Sequence, residues 1–222
     1  MGQYAELMPL AIFAGAAAFA GAVFLWFRYR GKQRREALSR LAKETGLDFL
    51  PEDPSLISEG IGRLQLFNLG HSKRSRNVMR GKAHGTDTLL FDYSYTTGGG
   101  KNRSTHRATV AAFHNDKREL PHFEMRPERF FHKIGSAFGY QDIDFESNSG
   151  FSKSYLLRGP DAQAVRGLYG PSVLQHFEIY PGWCVEGGGG WLACYRADRR
   201  VEPGDMWTFL DEARVLLSVF PQ

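Results

Sequence analysis

Hydrophobic positions run without a charge from Leu10 to Phe27, LAIFAGAAAFAGAVFLWF, eighteen residues in all. A helix of that length spans ~27 Å, close to the ~30 Å hydrocarbon core of a bilayer, with Tyr4, Trp26 and Tyr29 placed as interfacial anchors. The pattern predicts a transmembrane helix. Its flanks differ: Glu6 is the one charged side chain before it, and Arg28, Arg30, Lys32, Arg34 and Arg35 follow it. The positive-inside bias then sets residues 1–9 outside, 10–27 across the membrane, and residues 28–222 in the cytoplasm. Small residues at Ala16–Ala18 and Ala20–Ala22 would suit a signal peptidase, but a signal peptide carries its positive charges before the apolar run, so the order favours an uncleaved anchor. Ala14, Ala18 and Ala22 recur every four residues, beside Ala17 and Gly21, and give the span a smooth face for packing against another helix.

Beyond the anchor the periodicity changes. Ala37, Leu38, Leu41 and Ala42 recur at helical spacing between Lys32 and Thr45, with Gly46 at the expected cap. The PEDPS turn at 51–55 then marks a boundary between a basic stalk (28–50) and one domain (51–222). Alternation predicts a three-stranded meander over 77–83, 88–96 and 103–113. Leu89, Phe91, Tyr93 and Tyr95 supply an apolar face, and the polar residues between them predict a sheet covered on one side. Aligning Thr96 with Arg103 sets Asp92 opposite Arg107.

Helical patterns follow at 127–138 (Pro127 in the first turn; Phe130, Phe131, Ile134 and Phe138 inward), from Asp161 to Tyr169, after Gly170-Pro171, and over Met206–Phe220. A strand is expected at 154–158. Trp183–Glu186 and Trp191–Arg196 form a hairpin about four glycines. The fold class is α+β, a mainly antiparallel sheet of meander plus glycine-rich hairpin, packed by three or more helices.

Composition narrows the possibilities. Hydrophobic residues make up 42% of the chain and charged residues 23%, which excludes a disordered tail. The net charge of +4 is nearly matched by the five basic residues after the span, so the domain is close to neutral and overall charge is no argument for nucleic-acid binding. Cys184 and Cys194 flank the glycine run. Centring the loop between Gly188 and Gly189 points their thiols to opposite faces, and a one-residue slip would bring them across from each other; in a reducing compartment they read as free thiols.

No catalytic set emerges from the motifs. The GGGK of Gly98–Lys101 lacks the first glycine and the final Ser/Thr of a P-loop and lies between strands, so it reads as a turn. The histidines lack HExxH spacing, there is no GxSxG elbow, and no cofactor motif is found. His106 is placed to serve as a base, although a hydrogen-bonded sheet histidine is the simpler reading. Asp142, Asp144 and Glu146 alternate, so an extended segment would turn three carboxylates to one side, a weak candidate for Mg²⁺ or Ca²⁺.

The strongest cluster is basic. Lys73, Arg74, Arg76, Arg80 and Lys82, led by His71, enter the meander, and Lys101, Arg103 and Arg107 follow at its far hairpin. If their faces coincide they form an anion- or partner-binding patch beside an anionic leaflet, unless Asp87 and Asp92 neutralise them. Nucleic-acid binding would need Tyr93 and Tyr95 exposed for stacking, whereas their alternation makes them core.

The stretches HSKRSRNVMRG at 71, LLFDYSYTTGGGKNRSTHR at 89, GYQDIDF at 139, FSKSYLLRGPDAQAVRGLYGP at 151 and WCVEGGGGWLACYR at 183 together resemble a family of uncharacterised bacterial single-span membrane-anchored proteins. The resemblance implies a bacterial protein with one N-terminal span, in the inner (cytoplasmic) membrane, and one cytoplasmic α+β domain, and no activity. The sequence therefore leads to a membrane-anchored, non-catalytic accessory subunit. It would bind a protein partner, a second copy of itself or anionic headgroups; the alternative is a membrane-tethered, metal-assisted hydrolase of a phosphorylated substrate using the three acidic residues.

Overall fold

The computed structural model describes residues 3–58, 60–128 and 142–221, with backbone alone for 3–14. The chain divides into two compact units, Met1–Leu41 and Ala42–Gln222. The first is helical. Helix α1 (Gln3–Thr45) runs unbroken through the apolar stretch and the basic residues after it, where two separate helices were expected. Phe19, Phe24, Leu25, Trp26, Phe27 and Tyr29 are all exposed on it. Among the described residues no helix is long and apolar enough to cross a membrane. The side chains of residues 10–14, which open the apolar run and include Ala14, lie outside the description.

The second unit begins at Ala42, inside what the sequence marked as stalk, because the end of α1 is locked by a cap. Gly46 takes a left-handed φ of +71°, which lets Leu47 N donate to Ala42 O (2.9 Å) and Gly46 N to Lys43 O (3.4 Å). The chain then enters strand β1 (Asp48–Glu52). Pro51 within its sequence hides a strand at the sheet edge, where a missing N–H is tolerated.

The sheet continues through β2 (His71–Ala83), β3 (Thr86–Thr97), β4 (Ser104–His114) and β5 (Leu120–Pro127). After helix α2 (Ser149–Ser154) come β6 (Tyr155–Arg158), α3 (Ala162–Leu168) and α4 (Pro171–Ile179). Strands β7 (Cys184–Gly189) and β8 (Trp191–Tyr195) and helix α5 (Met206–Val219) complete it. The eight strands lie in the order β1-β2-β3-β4-β8-β7-β5-β6, all neighbours antiparallel.

The meander, the glycine hairpin and the terminal helix stand where the periodicity placed them. Asp161 caps α3, its carboxylate accepting from Gln163 N and Ala164 N. Pro127 closes β5 instead of opening a helix, and the rest of that expected helix, with Phe130, Phe131, Ile134 and Phe138, lies outside the described residues.

Both faces of the sheet are covered, correcting the one-sided expectation. Leu89, Phe91, Tyr93 and Tyr95 join Val78, Val110 and Ala112 in a core that includes Leu56, Ile61, Leu64, Leu66 and Phe67. Those last residues come from three single-turn helices, Leu56–Ser58, Gly60–Arg63 and Gln65–Asn68. On the opposite face α5 packs on β8 and β4, and α3 on β5. Thr88, Asp92, Thr96 and Thr109 are therefore buried although they alternate as polar residues. The tyrosines proposed as stacking surfaces are core.

The glycine run of β7 has a packing cause. A β-carbon on Gly187 would overlap the Phe123 ring, and one on Gly188 the imidazole of His122, so β5 side chains lie across bare β7 backbone. The hairpin register pairs Cys184 with Tyr195 and Val185 with Cys194, which sends the two thiols to opposite faces, both buried and free.

Candidate functional site: the cationic end of the sheet

The eight basic residues separate into two groups. Register fixes the split. Arg74, Ser94 and Arg107 are partners across β2, β3 and β4, so their side chains rise from one face. Arg80 is aligned with Leu89 and Ala112, on the other face. The proposed coincidence of faces fails, and so does the expected alignment: Thr96 pairs with Thr105, which leaves Arg107 opposite Ser94 and Asp92 opposite Thr109.

Charge pairing divides them by position along the strands and not by face, since Arg76, aligned with Asp92, shares the face of Arg74 yet has an acidic neighbour. Arg76 lies 3.8 Å from Glu52, Arg80 3.6 Å from Asp53 and Lys82 4.0 Å from Asp87. These partly exposed pairs contribute only ~0–1 kcal/mol each, but they cancel the local field. Asp53 is itself held below the ordinary carboxylate range, chiefly by the Ser55 hydroxyl and backbone N–H, with Arg80 adding to it. Among the described residues, Lys73, Arg74, Lys101, Arg103 and Arg107 have no acidic side chain within 4.0 Å, and all but the half-buried Lys73 are exposed. Lys101 and Arg103 sit on the tight turn after Gly98, whose carbonyl accepts from or faces His71 Nε2 at 3.1 Å.

A further cation, Arg200, joins this end through a strap the sequence did not reveal, where it pairs with Asp92. The connection from β8 to α5 crosses β4, where Thr109 N donates to Arg199 O (3.1 Å) and Val201 N donates to Thr109 Oγ1 (3.0 Å). Asp92, buried, accepts from Asn77 Nδ2 (2.8 Å), Thr109 Oγ1 (3.1 Å) and Arg200 (2.9 Å). His106 completes the tie: its ring stacks on Tyr95, Nδ1 lies 2.8 Å from Asp198 Oδ1 and Nε2 3.0 Å from Thr97 Oγ1. Hydroxyl, imidazole and carboxylate stand in the order of a nucleophile, base and orienting acid. Here their effect is mechanical, since Asp198 ties the strap to β4 and Arg200 lines one cleft with Arg107. The DRR triplet after the hairpin was the available signal.

A cleft of about 260 Å³ opens here, lined by Ser104, Thr105, His106, Arg107, Asp198 and Arg200. Past His106 and Asp198 lies a cavity of about 20 Å³ reaching Arg126, Cys184 and Tyr195. That is room for one water and no larger ligand. Nearby, Glu186 is fully buried. Its Oε1 accepts from Tyr195 OH (2.7 Å) and its Oε2 from Leu66 N (2.8 Å). Burial, reinforced by Glu124, pushes its carboxyl up to about 7 against the pull of Arg126, which itself pairs with Glu124.

The acidic triplet is not gathered into a ligand set. Asp142 Oδ1 accepts from Ile143 N (2.9 Å) and Leu157 N (3.0 Å), and burial raises its pKa. Asp144 offers its carbonyl to Arg166, and Glu146 opens a single helical turn. Among the described residues no three His, Cys, Asp or Glu side chains come together as a metal site. On α1, Ala18 and Ala22 are exposed.

No protein-family model matches the chain, and no curated protein matches it in sequence. In fold it is similar to the mycobacterial trehalose monomycolate transport factor A, TtfA, with a TM-score of 0.59 at 14% identity, over 85% of this chain and 95% of that one. At such identity the likeness shows the fold alone, an α+β domain on a mainly antiparallel sheet.

Proposed function

We propose that this chain is a membrane-anchored, non-catalytic accessory protein whose α+β domain docks through the cationic end of its sheet on an anionic surface, either lipid headgroups or an acidic face of a partner protein. The observation that carries the reading is the asymmetry of charge pairing. Arg76, Arg80 and Lys82 have acidic neighbours, and Lys73, Arg74, Lys101, Arg103 and Arg107 do not. Unpaired cations at one end of a rigid sheet retain a field that a complementary surface can use.

The anchor rests on the Leu10–Phe27 run and the basic residues after it. A helix apolar on all sides needs an apolar environment, and Phe19, Phe24, Leu25 and Phe27 stand exposed on α1. The four-residue alanine spacing gives that helix a face for a partner helix or a second copy. TtfA is by name a transport factor, and an accessory role for this chain is in keeping with that.

Affinity purification of the full-length chain from native membranes in mild detergent, with mass spectrometry of proteins and lipids, tests the proposal. A stoichiometric partner, or enrichment of anionic lipid, is expected. A chain that emerges alone, with neither, would count against it.

A further inference from the structure

At the cationic end, strand β4 outruns its neighbour. β8 pairs with it only from Val110 to His114, so the stretch from Ser104 to Thr109 has β3 on one side and no strand on the other. The Thr109 N–H points to that open side, where it donates to Arg199 O of the strap (3.1 Å). Successive residues of a strand turn their main-chain groups to opposite edges, so Arg107 and Thr105 present theirs on the same side as Thr109. Among the described residues no hydrogen bond reaches them there. With Ser104 and His106 they line the cleft of about 260 Å³.

An unpaired edge is a template for another strand. The outer strands of the sheet are guarded: Pro51 interrupts β1, and β6 is engaged at Leu157, whose carbonyl accepts from Ile143 N (2.8 Å) and whose N–H donates to Asp142 Oδ1 (3.0 Å). We infer that this stretch of β4 is completed by an extended acidic segment of a partner protein, added as a strand; the inference rests on the docking reading above and narrows its occupant. The strap straddles the edge and sets which side chains fit. On the face of Arg107, Arg200 reaches Asp92 (2.9 Å); on the face of His106, Asp198 holds the imidazole (2.8 Å). Acidic residues at every second position therefore stand beside Arg107, and uncharged ones between them beside Asp198. A second copy of the same edge would set Arg107 against Arg107, like charges that disfavour pairing. A lipid phosphate diester accepts from N–H groups but has nothing to donate to the outward carbonyls.

The test is fluorescence anisotropy of the full-length chain in a non-ionic detergent with a labelled peptide of alternating Glu and Thr, beside a Lys-Thr counterpart and flotation with phosphatidylglycerol vesicles. The Glu-Thr peptide should bind saturably and at least about tenfold more tightly than the Lys-Thr peptide. Two N-methylated forms of it, one blocked on the Glu amides and one on the Thr amides, should differ at least about tenfold in affinity, because an added strand uses only every second N–H. The Glu set is the one that matters if the addition is antiparallel. Thr105→Pro, which removes an outward N–H and leaves the β3 ladder intact, should weaken the peptide to the same degree and leave flotation unchanged. The methylated pair is measured on the parent chain, so the answer does not depend on that variant folding. Equal binding of the two methylated peptides, Lys-Thr binding as tight as Glu-Thr, or no Glu-Thr binding at millimolar concentration would overturn the inference. In that last case, vesicle binding that R107Q weakens would keep the docking reading with a lipid surface, and loss of both would end both.

Discussion

Replacing Glu186 by glutamine should change how stability depends on pH, and the size follows from burial. In the unfolded chain this carboxyl titrates near its ordinary 4.5; in the fold it is pushed up to about 7. Below the lower value it is protonated in both states and has no effect. As pH rises between the two, the unfolded chain releases its proton first, so folded stability falls, and the loss levels off above about 7. The full gap corresponds to about 3 kcal/mol, of which about 2.5 kcal/mol falls between pH 5 and pH 8. In E186Q the amide keeps an oxygen for Tyr195 OH but turns a donor toward Leu66 N–H. That mismatch costs about 1–3 kcal/mol at every pH. Urea unfolding of both proteins in the same detergent, followed by tryptophan fluorescence at the two pH values, isolates the Glu186 contribution, because all other titrations cancel in the difference. The stability of E186Q relative to the parent should rise by about 2.5 kcal/mol from pH 5 to pH 8. A relative stability that stays flat within ~0.5 kcal/mol, or that falls with pH, would refute the assignment of a buried, proton-holding carboxyl.

Asp92→Ala should destabilise the domain by about 3 kcal/mol in urea unfolding, since Asn77 and Thr109 lose their buried acceptor while the partly exposed Arg200 can turn to water. Gly187→Ala should cost about 1–3 kcal/mol, because its β-carbon overlaps the Phe123 ring; the double variant with Phe123→Leu should recover part of that loss if crowding is the cause.

Much of the fold was legible because period-two alternation and turn residues speak directly. The meander followed from residues 88–96, and His84-Gly85, both with positive φ, form its first turn as read. Helix α5 followed from apolar spacing, and α3 from Asp161. Strand β1 was obscured by Pro51, and β5 by prolines at both of its ends, since turn signals outweigh a short strand pattern. The burial of Asp92 and Thr109 could not be read from alternation. It depends on a strap ninety residues later in the chain, Val201 reaching Thr109 at a sequence separation of 92.

The candidate site was legible in its residue types and not in its geometry. Lys101, Arg103 and Arg107 stood out as charges, but the separation of Arg107 from Arg80 turns on strand register, which sets Arg107 opposite Ser94 and Arg80 opposite Leu89 and which composition cannot supply. Glu186 looked like any hairpin residue. Its isolation arises from the single-turn segment folded over that face, with Leu66 N as its partner.

The most direct test of the central claim neutralises matched sets of charges. K101Q/R103Q/R107Q removes three unpaired cations, and R76Q/R80Q/K82Q removes three that face acids, so the two variants change net charge equally. Each is purified from native membranes beside the parent, and the co-purifying partner or anionic lipid is quantified. At on the order of 1 kcal/mol per near-surface charge, the first set should lower recovery affinity on the order of 100-fold, and the second should leave it within a few-fold of the parent. Equal losses in the two variants, or retention by the first, would contradict the account.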